Sequence, residues 1–345
     1  MSAEISTTGL GSEGPDYVPA NESAHVGFGS HALALLRKSG VAAFVALALI
    51  VVIGSILWPT FHSLDNMRNV VLGITYIGIV AIGMTMVIIT GGIDLSVGSV
   101  FALGGVVAVW TNNQAGPVAA VFATILVCGA VGLINGTLIG IAGLAPFIVT
   151  LASLFGIRGL VYQLTGAGAT TYSVTSDSAF AWLGNGTFLT FGIPIFIAIL
   201  LYVTFHLVLE RTSFGLTTFA IGGSEDAATL MGLKVRRTKI LLYVISAALA
   251  GIAGMLQASQ LVSASPIIAT GYELQAIAAV VIGGTLLTGG AGSLVGTAAG
   301  VLLLGAINAF IRYLQLDSTW NNVVSGAFLV TVVVVQRVLS YRRSD

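Results

Sequence analysis

Ten runs of mainly apolar residues follow one another along this chain, far more apolar length than one soluble core can hide. They cover roughly 41–60, 70–90, 94–112, 117–137, 146–166, 190–209, 240–260, 273–289, 293–312 and 319–337. Each approaches the ~20 residues that a helix needs to cross the hydrocarbon core of a bilayer. Only 8% of residues are charged, against about 25% in an ordinary soluble domain. The expected fold class is therefore an all-α polytopic membrane protein with about ten transmembrane helices, some of them short or glycine-broken.

Basic residues near helix ends set the expected orientation. With ten spans, one side receives Arg37, Lys38, Arg211, Lys234, Arg236, Arg237, Lys239, Arg337, Arg342 and Arg343. The opposite side receives only Arg68 and Arg312, while Arg158 falls inside a span. Both termini are expected in the cytoplasm. The polar stretch 1–36 reads as a disordered tail without a cleavable signal peptide, and 37–343 as a single transmembrane domain. Two connections exceed a turn: 167–189, rich in Thr, Ser and Gly, on the outside, and 210–239 on the inside.

Several chemistries are excluded. Net charge is zero, so no basic field points to nucleic acid. The single Cys128 excludes an intrachain disulfide, and four scattered histidines make no metal-ligand spacing. There is no phosphate-binding GxxxxGK[ST] loop, and no Ser-His-carboxylate set, HExxH or GxSxG. No catalytic residue and no metal site is expected. If ATP drives this protein, another chain hydrolyses it.

Thr90–Ser99, TGGIDLSVGS, carries Asp94, the one formal charge between Arg68 and Arg158. Gly91, Gly92 and Gly98 loosen any helix there, since glycine in a helix interior costs ~1 kcal/mol relative to alanine. Either Asp94 sits in water where one helix ends and the next begins, or it lines a gate or pathway. The positive-inside orientation puts this turn at the inner end of the second span. The turns at 90–94 and 289–293 separate two spans each, or else break longer or re-entrant helices. They also echo one another: TGG at 90–92 and VGS at 97–99 match TGG at 288–290 and VGT at 295–297 at one ungapped offset. That echo is a parallel repeat or a product of abundant glycine.

The inner loop holds a short helix signal. Ser224 is a good N-cap, Glu225 and Asp226 suit the first turn, and Gly232 supplies a C′ stop. Ala227, Leu230 and Met231 line one expected apolar face. The helix is either an amphipathic connector at the headgroups or a docking surface for a cytoplasmic motor. Gly132/Gly136/Gly140 and Gly292/Gly296/Gly300 read as packing seams. Asn135, Asn308, Gln257 and Gln260 make interhelical hydrogen bonds or meet a polar solute. Arg158 has an internal partner or faces the pathway. Glu273, in GYELQ, anchors the outer interface or receives an external partner.

Together, GGIDLSVGS, INGTLIGIAGLAPFIVTLASLFGIRGL (134–160), AIGGSEDAATLMGLKVRRTKI (220–240) and GYELQAIAAVVIGGTLLTGGAGSLVGT (271–297) resemble the permease subunits of sugar-importing ABC transporters. The ribose, xylose and galactose permeases form the nearest group, and the likeness spans about 65–338. It implies ten helices per subunit in the bacterial plasma (inner) membrane and a second permease subunit, a homodimer being favoured. It also implies an ATPase pair on the cytoplasmic face, hydrolysing ATP with Mg so that this chain needs no cofactor, and an extracytoplasmic binding protein that delivers a monosaccharide or related polyol. Ser224, Glu225, Asp226, Ala227, Ala228 and Gly232 fall on the ATPase-coupling loop. The acid-Ala-Ala spacing fits from Glu225 or from Asp226. Gly91, Gly92, Asp94, Ser96, Asn135, Arg158, Gln257 and Asn308 become gate or pathway candidates. Tyr272 and Glu273 fall on the binding-protein side. Gln275, Thr288 and Ala291 depart from the usual pattern, so the ribose specificity does not carry over. The rival expectations are a branched-chain amino acid permease of the same superfamily, an ion-coupled secondary transporter using Asp94, Arg158 and Glu273, and a membrane scaffold without transport.

Overall fold

The computed structural model describes residues 40–317 except 169, 176 and 177, together with scattered positions between 320 and 330. The expected tail 1–36, most of the expected tenth span 319–337 and both termini lie outside the described residues.

The helices are α1 (Val41–Leu57), α2 (Leu64–Ile89), α3 (Val97–Gly140), α4 (Pro146–Leu164), α5 (Ala179–Asn185), α6 (Ile193–Arg211), α7 (Ser213–Gly223), α8 (Glu225–Leu230), α9 (Val235–Leu261), α10 (Tyr272–Ile282) and α11 (Leu294–Tyr313). Among the described residues, α2, α3, α4, α6, α9 and α11 are long and apolar enough to cross a membrane. Among the described residues the only strands form two antiparallel ladders of two residues each: β1 (Tyr172–Ser173) with β4 (Ser263–Ala264), and β2 (Thr187–Phe188) with β3 (Phe191–Gly192).

α3 is one element in name only. Gly116 has φ 85° and ψ 175°, ahead of Pro117, and the chain reverses there. Thr124 Oγ1 then reaches Gly104 O, and Cys128 Sγ reaches Val100 O. The two arms form a helical hairpin, matching the separate runs 94–112 and 117–137. The run 273–289 is corrected. Its helix ends at Ile282 after 11 residues, about 16 Å at 1.5 Å per residue, too short to cross a bilayer.

α2, α9 and α11 are the most buried of the long helices, and α3, α4 and α6 pack outside them. α2 starts and α9 finishes at one end of the bundle, here the near end. α2 finishes and α9 starts at the far end. The first expected glycine seam is present in full, and the second only from Gly296 onward, since Gly292 precedes α11 and faces the Thr285 and Ile89 side chains. A Cβ at Gly132, Gly136 or Gly140 would meet α9 backbone near Val244, Ile240 and Arg236. At Gly296 and Gly300 it would meet Gly283 and Ala279 of α10 and its end. Backbones pack this closely only where side chains are absent.

The loop 167–189 is pinned to the near end. Phe180 is fully buried, and its carbonyl accepts from Ser259 Oγ on α9. Asn185 Nδ2 donates to the carbonyls of Ser259 and Gln260.

Candidate functional site

After Ile89 the chain does not turn in water. Thr90–Ser96 folds back into the bundle as irregular backbone, and α3 begins inside it. Such backbone is tolerated at membrane depth only where protein buries it and satisfies it. Asp94 is 1% exposed. One carboxylate oxygen accepts from Ser96 N and Ser96 Oγ at 3.1 and 2.6 Å. The other accepts from Ser246 Oγ at 2.8 Å. Ser246 is 11 residues into α9, about 16 Å along its axis. The solvated-turn reading of Asp94 is therefore wrong, as is its expected place at the inner end. Only Thr90 and Gly91 stay at the far end.

The surrounding polar groups extend this centre. Asn135 Nδ2 donates to Ser96 Oγ and to Ser153 Oγ, each at 3.2 Å. Thr150 Oγ1 donates to Ile93 O. Gly92 lies against the Tyr243 hydroxyl, which is buried without a partner among the described residues. Ser246, Ser153 and Tyr243 escaped the sequence reading. Small hydroxyls scattered in apolar helices carry no spacing that marks them.

A second polar cluster lies nearer α10's start. Gln257 Nε2 donates to Tyr272 Oη at 3.3 Å, and Tyr272 packs edge-on against Phe101 with centroids 5.3 Å apart. Glu273 abuts Gly98, whose missing Cβ leaves room for the carboxylate. Gln257 Oε1 and Glu273 Oε2 are both buried without a partner among the described residues. Arg158 Nη1 donates to Pro266 O at 2.5 Å and Ile268 O at 3.0 Å, so it holds the loop that leads into α10. Tyr272 and Glu273 thus sit inside the bundle, at the level where α3 begins. Asn308 is half-buried on α11 and joins neither cluster.

At the far end three backbones meet. Gly290 N donates to Ile89 O at 2.9 Å. Gly222, one residue before the end of α7, packs so closely that a Cβ there would overlap Ile89 O and Gly290 N. Gly289 lies against Gly91 N and Gly222 O. Gly91, Gly289 and Gly290 have φ of 76°, 85° and 78°, the left-handed region that glycine adopts at no steric cost. The two TGG echoes are therefore in contact. Each follows a helix that runs to the far end and precedes one that returns, as a parallel repeat requires.

The junction continues directly into the predicted short helix. Ser224 Oγ caps it by accepting from Ala227 N at 3.2 Å. Leu233 N donates to Ala228 O at 3.1 Å past Gly232 at φ 78°, a Schellman stop. Glu225 pairs with Lys239 at 2.6 Å. The expected apolar face of Ala227, Leu230 and Met231 is exposed, with Leu230 and Met231 at 89% and 77%, and Ala228 is the residue turned inward, onto Ile221 and Val235. Beside this helix a groove of about 890 Å³ is lined by Lys234, Arg236 and Arg237 and by the turn between α3 and α4. α8 thus hides Ala228 and leaves Leu230 and Met231 exposed beside this groove.

Residues 66–333 match the family model described as "Branched-chain amino acid transport system / permease component". The chain is 39% identical over 295 residues to the ribose import permease protein of Bacillus subtilis (strain 168), covering 85% of this chain and 91% of that one. It is 35% identical over 308 residues to the fructose import permease protein of Bifidobacterium longum (strain NCC 2705), covering 86% and 90%. It is 34% identical over 312 residues to the L-arabinose ABC transporter permease protein of Azospirillum brasilense, covering 90% of each. No solved structure matches.

Proposed function

The chain belongs to the permease-component family of ABC importers, and from that premise we propose that it carries a monosaccharide or related polyol across the bacterial inner membrane. It is the membrane-spanning subunit of a multi-pass transporter. Its far end faces the cytoplasm, where α8 rests on the ATPase that binds and hydrolyses ATP with Mg. Its near end faces the binding protein. In this reading ten helices form one transmembrane domain over 37–343, both termini are cytoplasmic, no ATPase site lies in this chain, and a second copy completes the pathway.

The single observation that carries the coupling is the junction of Ile89, Gly222 and Gly290. The base of α8 is in backbone contact with both chain reversals, the one leading to Asp94 and the one joining α10 to α11. A push on α8 therefore reaches Asp94 without passing through flexible side chains. Each ligand must bind the outward and inward states differently for that push to be driven. Asp94, Ser96, Asn135, Gly91 and Gly92 form the moving gate within the bundle. Gln257, Tyr272 and Glu273, with two unspent acceptors, meet the hydroxyls of the passing sugar. Arg158 holds the loop behind them.

The family description names branched-chain amino acids, whereas the relatives are named for ribose, fructose and arabinose, which favours the sugar. Reconstitution with the ATPase and binding protein tests this across pentoses, hexoses and polyols. At least one monosaccharide is expected to stimulate ATP hydrolysis and uptake, with valine, leucine and isoleucine inert. Uptake by the permease alone on a proton or sodium gradient would overturn the reading.

A further inference from the structure

At the near end, a pocket of about 290 Å³ lies between the start of α2, the end of α5 and the end of α9. Asp65, Arg68, Asn69, Asn185 and Gln260 bring polar groups to it, and Leu72 supplies an apolar wall. Much of their hydrogen-bonding capacity is unspent. Asn69 gives neither its carbonyl nor its amide group to the protein among the described residues. Asn185 spends only Nδ2, on the carbonyls of Ala181, Ser259 and Gln260, which leaves its oxygen. Gln260 Oε1 accepts from Tyr76 at 2.8 Å, which leaves its NH₂.

We propose that this pocket is the subsite on which a monosaccharide first lands in the permease. The inference rests on the sugar-importer reading above. Each sugar hydroxyl is both donor and acceptor, and planar amides beside a guanidinium offer both kinds of partner at fixed spacing. An apolar wall with a few converging polar groups is the usual make-up of a small-ligand site. The charge balance selects a neutral ligand: Arg68 faces Asp65 at 3.4 Å, so an acidic side chain of a docking protein would meet a carboxylate as well as the cation. A second polar cluster lies one helical turn further along α9. Gln260 and Gln257 are three residues apart on α9, and the first touches Tyr76 while the second touches Tyr272. A sugar leaving the pocket passes from one cluster of hydrogen-bonding groups to the next.

Asn69 is the residue to change, because it is exposed and supports no other group. In the reconstituted complex, Asn69→Ala is expected to lower monosaccharide uptake at least fivefold while the permease binds its binding protein as before. The one native cysteine, Cys128, is fully buried, so Asn69→Cys introduces the only accessible thiol. Of D-ribose, D-fructose and L-arabinose, each at millimolar concentration, whichever the reconstituted complex takes up is expected to slow maleimide labelling there at least threefold, with glycerol at equal concentration having no effect. Unchanged uptake, or labelling indifferent to sugar, would overturn the subsite. Binding-protein affinity that falls in step with uptake would also overturn it, by making the pocket a protein contact. If the wild-type complex moves no monosaccharide, the parent reading fails first and the subsite falls with it.

Discussion

Ser246 Oγ donates to Asp94 Oδ2 at 2.8 Å, tying the middle of α9 to a chain reversal 152 positions earlier. That bond, with the two from Ser96, lets a carboxylate and seven residues of irregular backbone sit inside an apolar bundle. Hydrogen bonds to a buried charge contribute about 1.5–3 kcal/mol. Ser246→Ala is expected to lower the stability of the purified protein by that amount and Asp94→Ala by at least as much. The double variant should be no worse than Asp94→Ala alone. Thermal unfolding of the four proteins gives the coupling directly, and additive losses would show that the two groups do not act together.

Adjacent glycines separate the junction from its surroundings. A Cβ at Gly222 would overlap Ile89 O and Gly290 N, whereas one at Gly223 meets nothing within 4 Å. Gly222→Ala should cost about 1–3 kcal/mol through overpacking and reduce sugar-stimulated ATP hydrolysis at least tenfold. Gly223→Ala should leave both close to wild type. Equal behaviour of the two variants, in unfolding and in coupled hydrolysis, would remove the junction from the mechanism.

Leu230 and Met231 project from α8 while Ala228 holds it down. Leu230→Ser with Met231→Ser should leave membrane insertion and unfolding temperature unchanged and abolish recovery of the ATPase with the permease. Gly232→Pro should have the same outcome by a different route, because Gly232 has φ 78° and proline is locked near −65°. Full co-purification and uptake in either variant would exclude α8 as the docking element.

Arg158 makes two charge-assisted bonds to the carbonyls of Pro266 and Ile268. Arg158→Ala should destabilise the protein by about 3 kcal/mol and open the 265–270 loop to protease. Arg158→Lys, which keeps the charge and loses the planar fork, should recover only part of that loss. Protease resistance equal to wild type in Arg158→Ala would assign Arg158 to another role.

Much of the frame was legible from the chain. Apolar runs and glycine turns located helices over nine of the ten expected segments, and the tenth lies outside the described residues. The cap at Ser224 and the stop at Gly232 were read correctly because both are local backbone geometry. What the sequence misplaced or left open shares one cause. Asp94 stayed open between a solvated turn and a gate because its partner Ser246 is remote in sequence. The run 273–289 read as a span because hydropathy does not register that Gly283 and Gly284 end the helix halfway. The inward role of Ala228 was not legible because six residues leave too little periodicity to show which side packs on Ile221 and Val235.

The amino-acid sequence alone determined that this is a helical membrane protein, roughly where its helices run, which family it resembles, and where one short helix starts and stops. Those properties follow from apolar length, caps and glycine placement, all of which act over a few residues. The tertiary structure alone decided that Asp94 lies inside the bundle and that the two TGG turns touch. It also decided that Gly222 links them to α8. The physical reason is that a buried charge and a backbone contact are satisfied by whatever the fold brings beside them, and here Ser246 lies 152 positions from Asp94 and Gly290 lies 201 positions from Ile89.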